Sequence, residues 1–330
     1  MNGDVRYEAL DRWEKLPSGW SFVEVAAVAT DSRDRVYVFN RGEHPVIVFD
    51  RDGNFLASWG EGVFQRPHGI HIGPDDAVYC SDDRDHTVRK FSVDGSLLMT
   101  LGASGRPSET GVVGIDYRTI RRGGPPFNLP TNLAIAPDGR LYVTDGYGNA
   151  RVHCFSPDGR LLFSWGEPGD GPGQFNLPHG IAVDRAGIVY VADRENSRVQ
   201  LFSPRGEFVT QWTDVARPME VFIDARSGGD ADRVFVAETG FRAGLFPWMT
   251  APANPPGGRV SVFTREGNLV ARWGGGDNPC APGDFFAPHD IWGDSHGDLY
   301  VGEVVMSAGG NHGLVSPTCH SLQKFVRKTA

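Results

Sequence analysis

Nowhere do the 330 residues hold an uninterrupted apolar run of the roughly 18 that would suggest a membrane-spanning helix. Basic residues are in the minority, 32 Lys and Arg against 41 Asp and Glu, for a formal charge of −9. A nucleic-acid surface needs a basic stripe to neutralise phosphates, so this balance argues against one. Cysteine is scarce: Cys80, Cys154, Cys280 and Cys319 are widely spaced and form no Cys-x-x-Cys pair. The opening segment, Met1 to Trp13, lacks the basic and apolar stretches of an export signal. Together these absences predict reduced thiols in a cytoplasmic protein, with no membrane, nucleic-acid or obligate protein partner. Cys80 and Cys154 fall inside strand patterns, where a thiol reads as a small buried hydrophobe.

What is present is a repeat. Gly (43) and Pro (23) punctuate many short apolar runs, the mark of turn-rich all-β structure. One pattern recurs: Pro-x-x-Ile/Val-x-Ile/Val, a polar turn, Val/Leu-Tyr-Val, an Arg-Val-x-x-Phe strand, and a strand ending in Trp. Its clearest copy runs through 177–184, 188–202 and 207–212. Others begin at 25, 66, 129, 217 and 287, which makes six. Each holds four short segments that alternate at period two, so each is a four-stranded antiparallel sheet. Six such units predict a six-bladed β-propeller of all-β class, with 1–330 as a single domain. The last copy ends without its Trp strand, and Glu8–Trp13 (EALDRW) matches the missing ending. The N-terminal segment is therefore expected to supply the outer strand of the last blade and remove an exposed edge. Three stretches exceed the repeat, 103–126, 240–258 and 304–318, and read as loops. Phe241, Phe246 and Trp248 in the second would either wall an apolar pocket or pack on one another.

The residue after the proline of each copy carries the chemistry. In chain order this position reads Ala26, His68, Thr131, His179, Met219 and His289. Histidine occupies alternate blades, 111 and 110 residues apart. A six-blade ring sets alternate blades a third of a turn apart, so three imidazoles at the start of innermost strands would converge. Three histidine nitrogens with an open position make a catalytic zinc site. The other seven histidines fall outside this register.

A second register follows the Val-Tyr-Val strand and reads Arg41, Asp83, Gly146, Arg194, Thr239 and Val304. Arg41 and Arg194 come from opposite blades, and Tyr147 lies one step beyond the register in blade three. Paired guanidiniums suit a carboxylate-bearing small molecule. A neighbouring arginine also stabilises a phenolate, which makes Tyr147 a candidate base. The alternative for each arginine is an ion pair within the scaffold, Arg194 with Asp193 or Glu195 and Arg41 with Glu43.

Five motifs combine into a resemblance. FNRGEH (39–44), PHG (67–69), TDGYGNAR (144–151), LPHGIAV with VADRENSR (177–198) and PHD (288–290) resemble the peptidyl-α-hydroxyglycine α-amidating lyases, which are NHL-type propellers. The resemblance implies zinc on His68, His179 and His289. It implies a catalytic tyrosine at Tyr147 and active-site arginines at Arg41 and Arg194. It implies a structural calcium on backbone carbonyls of Val28 and Ile70 with Asp290. The implied reaction cleaves the C–N bond of an N-acyl α-hydroxyglycine to an amide and glyoxylate. Gly148 stands where the family pattern has a disulfide cysteine, so a small α-hydroxy amide is as well supported as a peptide substrate. Two other readings stay open: a metal-dependent hydrolase or hydratase of lactonase type, and a non-enzymatic NHL interaction module.

Overall fold

The computed structural model describes residues 6–10, 12–226, 228, 232–244 and 246–328. Its strands assemble into six four-stranded antiparallel sheets, the six blades of a β-propeller. Blade one runs Val25–Thr30, Val36–Asn40, Val46–Phe49 and Phe55–Trp59 from inside to outside. The other blades repeat this order, beginning at Pro67–Ile72, Pro130–Ile135, Pro178–Val183, Pro218–Asp224 and Pro288–Gly293. Proline suits these starts because a first residue need not donate to the ladder. The last blade takes its fourth strand from the N-terminus: Arg6–Leu10 pairs antiparallel with Leu322–Lys328. That is the closure expected from EALDRW, with the strand set slightly earlier. Trp13 lies beyond it and packs instead beside Phe49 and Tyr300.

Two compact units divide the chain. One comprises 60–223 and holds blades two, three and four. Its core includes a cluster of Leu133, Leu141, Val143 and Phe155 with Val88 and Leu101 of blade two. A second cluster joins Tyr142, Val152 and Phe175 to Val189, Val191 and Phe202 of blade four. The other unit comprises 1–59 with 224–330, and its core sets Val28, Val38 and Phe49 against Tyr300 and Leu322. The repeat's Val-Tyr-Val tyrosines at 37, 142, 190 and 300 are almost wholly enclosed. A strand buried on both faces tolerates this apolar continuity, where a half-buried strand would alternate.

The three long insertions are built onto this scaffold. Residues 103–126 carry a short 3-10 turn, Tyr117–Thr119. In 240–258 Phe246 stacks on Trp248 at 4.9 Å, so these aromatics pack on each other. Residues 304–318 hold one helical turn, Val305–Ala308. No helix among the described residues is long and apolar enough to cross a membrane.

The expectation of four reduced cysteines is corrected. Cys280 and Cys319 are bridged, their Cα atoms 5.0 Å apart, while Cys80 and Cys154 are free and buried. The pair is 39 residues apart in sequence and lies outside the repeat, in the stretch before blade six and just past an insertion. Spacing alone carries no sign of that approach.

Candidate active site

The histidine register owes its direction to the backbone. The inner ladder shifts register between Pro67 and Gly69, and again between Pro288 and Asp290, leaving His68 and His289 at the irregularity. In blade four the shift spans Pro178 to Ile181, around His179. A bulge frees a residue from pairing and re-aims its side chain. Left-handed backbone at Leu177, φ 67°, precedes His179 and adds to the local distortion.

Each histidine is then fixed by the same contact. Nδ1 of His68 donates to the Thr131 carbonyl at 2.8 Å, and Nδ1 of His179 to the Met219 carbonyl at 2.8 Å. Nδ1 of His289 donates to the Ala26 carbonyl at 2.6 Å. In every case the acceptor occupies the histidine's own register position in the following blade. A carbonyl only accepts, so Nδ1 carries a proton, and in the neutral ring Nε2 then offers the lone pair. This backbone support is the arrangement that orients metal-bound histidines. His68, His179 and His289 form one buried group able to hold a metal ion, with one ring nitrogen from each within 4.8 Å of the others. Imidazoles held by Nδ1, buried and convergent, fit a zinc ion through Nε2.

Tyr147 lies against this group. Its hydroxyl is 3.3 Å from Nε2 of His68 and 3.3 Å from Nε2 of His179. Nη1 of Arg194 donates to the same hydroxyl at 3.2 Å. Arg66 adds a second cation over the ring, 5.8 Å from its centroid. The two glycines flanking Tyr147 let it approach: a Cβ at Gly146 would meet the Pro178 carbonyl oxygen, and one at Gly148 the Asn128 side chain and carbonyl. Any side chain at 148 would therefore displace Asn128.

Arg194 is fully buried and is held by Glu195, whose Oε1 accepts from Nε at 2.7 Å. Glu195 also accepts from Nη2 of Arg217 at 2.7 Å. Burial opposes the charge on Glu195, but Arg194 and Arg217 outweigh it and hold the carboxyl below its ordinary range. Burial likewise opposes the Arg194 charge, and the Tyr147 and Glu195 partners raise its proton affinity above the ordinary value. Sequence reading named Glu195 only as a scaffold partner and missed Arg217, Arg66 and Glu24. Arg41 pairs with Glu24 at 2.8 Å, a different residue from the Glu43 named as its alternative scaffold partner. Glu24 in turn accepts the Ser307 backbone N–H at 2.7 Å, tying Arg41 to the 304–318 insertion. Both arginines of the register thus have an acidic partner, Arg41 in Glu24 and Arg194 in Glu195, and Arg194 also donates to the tyrosine.

Of the residues expected at calcium, Val28 and Asp290 meet: Oδ2 of Asp290 accepts the Val28 N–H at 3.3 Å. Oδ1 of Asp290 accepts the Ile291 N–H at 2.7 Å. Ile70 is buried on the inner strand of blade two. A buried carboxylate already engaged by two backbone donors fits a calcium ligand less closely than the histidines fit zinc.

The NHL repeat family matches residues 127–155 and 175–202, the segments that carry Tyr147, His179 and Arg194. Human NHL repeat-containing protein 3 is 32% identical over 61% of this chain and 58% of its own length. Rat peptidylglycine alpha-amidating monooxygenase is 33% identical over 88% of this chain and 32% of its own length. Peptidyl-alpha-hydroxyglycine alpha-amidating lyase 1 of Drosophila melanogaster is 34% identical over 48% of this chain and 29% of its own length. The chain therefore spans only part of each relative, from under a third to somewhat over half. A solved gluconolactonase from Xanthomonas campestris shares the fold, with a TM-score of 0.60 at 14% identity over 93% of this chain and 87% of that one. Taken together, the chain is a six-bladed propeller that holds NHL repeats and is similar in sequence to the peptidyl-α-hydroxyglycine α-amidating lyases.

Proposed function

We propose that the protein is a zinc-dependent carbon–nitrogen lyase acting on N-acyl α-hydroxyglycines or similar small α-hydroxy amides. The observation that carries this reading is Tyr147, whose hydroxyl lies between the Nε2 atoms of His68 and His179 and against Arg194. His68, His179 and His289 would hold the metal, and Nδ1 of each is already committed to a carbonyl. Zinc, when bound, supplies Lewis acidity toward a hydroxyl oxygen and lowers the cost of deprotonating it.

Tyr147, as the tyrosinate, takes the substrate's hydroxyl proton. The O–H electron pair becomes the new C=O bond of glyoxylate, and the C–N pair leaves with the amide nitrogen. Tyr147, now a phenol, returns the proton to that nitrogen. No atom is lost and no second reactant is needed. Arg194 donates to the phenolic oxygen and, with Arg41, suits the carboxylate of the substrate. Glu195 and Arg217 fix the guanidinium plane of Arg194. Calcium on Val28, Ile70 and Asp290 would serve structure, not chemistry.

The test is a purified, zinc-loaded protein given α-hydroxyhippurate. Benzamide and glyoxylate in equal amounts are the expected products, with about one zinc per chain. Bound zinc without glyoxylate would turn the assignment toward metal-dependent hydrolysis, and the absence of any bound metal would turn it toward an interaction module.

A further inference from the structure

The insertion at 103–126 is not part of any blade, yet it is fastened to the residue after the candidate base. Thr110 Oγ1 donates to the Gly148 carbonyl at 2.5 Å. Gly148 N–H donates to the Asn128 carbonyl at 2.9 Å, and Nδ2 of Asn128 donates to the Ser108 carbonyl at 2.8 Å. Thr110 and Asn128 both line a cavity of about 770 Å³ between the insertion and blade two. That volume lies within the range of small-molecule sites, roughly 300–1,000 Å³. The cavity is thus built on the backbone that positions Tyr147.

Its walls are of mixed character. Ile115, 52% exposed, and Val112 offer apolar surface from the insertion, and Leu129 from the start of blade three. At the rim stand Arg84 and Arg122, opposed by Glu109. Among the described residues Arg84 has no hydrogen-bond or ion-pair partner. The rim therefore carries a positive balance, which favours approach of an anionic substrate. His86 accepts the Leu129 N–H at Nδ1, at 3.1 Å, so its Nε2 carries a proton and is a donor.

We propose that this cavity receives the N-acyl group of the substrate and that the protein prefers an extended apolar acyl group. The inference rests on the lyase reading, which places the scissile C–N bond beside Tyr147. The carboxylate side of the substrate belongs with the arginines, so the acyl side is what remains to be housed. The insertion supplies an apolar wall for it, anchored one residue from the base.

The experiment uses stable N-acylglycines, which lack the α-hydroxyl and cannot be cleaved. N-Acetylglycine and N-decanoylglycine are titrated calorimetrically into the zinc-loaded protein, and into Ile115→Ser and Leu98→Ser. Leu98 is similarly exposed, lies on blade two and is not a cavity residue. The decanoyl compound is expected to bind about tenfold more tightly than the acetyl compound, the effect of burying a few methylenes. Ile115→Ser should reduce that ratio about threefold or more, with acetyl binding and the Leu98→Ser ratio unchanged. Equal affinities for the two ligands, no binding of either, or a ratio untouched by Ile115→Ser each overturn the proposal. Glyoxylate release from α-hydroxyhippurate is followed in parallel. Turnover without chain-length preference defeats the acyl site alone, and chain-length preference without turnover defeats the lyase reading alone.

Discussion

In the proposed lyase Tyr147 and the histidines would do different work, and substitution separates them. Tyr147→Phe removes only the hydroxyl that meets His68, His179 and Arg194. Loss of a positioned base lowers turnover by about 10²–10⁴-fold. Metal content, measured by plasma emission spectroscopy, should not change, because the backbone carbonyls still hold each imidazole. His179→Ala should lose metal and activity together. Glu220 makes a second prediction. It is buried beside the His179 strand, accepts the Ile181 N–H at 3.0 Å and meets Asn132. Burial pushes its carboxyl up to about 8 from an ordinary 4.5. A folded-state value above the unfolded one means that the folded protein holds the proton more tightly. The resulting stabilisation is complete below about pH 4.5 and is lost as pH rises toward 8. Glu220→Gln keeps the shape without the titration. Between about pH 5 and pH 8 the wild type should lose on the order of a few kcal/mol that the variant does not. Urea midpoints of both proteins, with metal stripped from each, measure the difference; parallel pH profiles would refute it.

At the scale of strands and loops, the N-terminal strand is the element whose removal has the clearest consequence. Arg6–Leu10 covers the edge of Leu322–Lys328, and Tyr7 meets the rings of Phe235 and Trp273 at 6.1 and 5.7 Å. Tyr7→Ala should cost about 2 kcal/mol by loss of this half-buried ring. It should also raise the aggregated fraction in size-exclusion chromatography, because a loosened edge strand is a template for pairing. Glu8→Ala, which removes an exposed ion pair with Lys328, should be nearly neutral. This strand was legible in the sequence because EALDRW repeats a motif seen in complete blades. The histidine register was legible for the same reason: a repeat makes a departure at one position visible. The grip of Glu195 on Arg194 and Arg217 was not. Arg217 belongs to the start of the next blade and adopts left-handed backbone, φ 51°, so no local pattern announces it. The pairing of Arg41 with Glu24 crosses strands in the same way, and the nearer Glu43 was the natural guess. Insertions are opaque for a further reason. Their contacts, such as Thr110 on Gly148, belong to one chain and follow no period.

For the molecule as a whole, the Cys280–Cys319 bridge bears on where and how the fold persists. Disulfides survive in oxidising compartments and are rare in the reducing cytoplasm. The bridge therefore weighs against the cytoplasmic setting expected from the N-terminal sequence. It also joins the stretch before blade six to the residue just past the 304–318 insertion, whose Ser307 N–H meets Glu24, the partner of Arg41. Closing a 39-residue span restricts the unfolded chain, worth up to about 4 kcal/mol by loop entropy. For a chain of this length that corresponds to roughly 5 °C in Tm. Cys319→Ser should show that loss in buffer without reductant, at a fixed scan rate. Wild type treated with dithiothreitol should fall to the same Tm, and dithiothreitol should leave the variant unmoved, since Cys80 and Cys154 are free already. A variant that melts with the oxidised wild type would mean that the bridge contributes no stability. If the loss appears and Arg41 depends on this insertion, then on the proposed lyase reading the reduced protein should also bind the substrate carboxylate more weakly, raising KM with metal content unchanged.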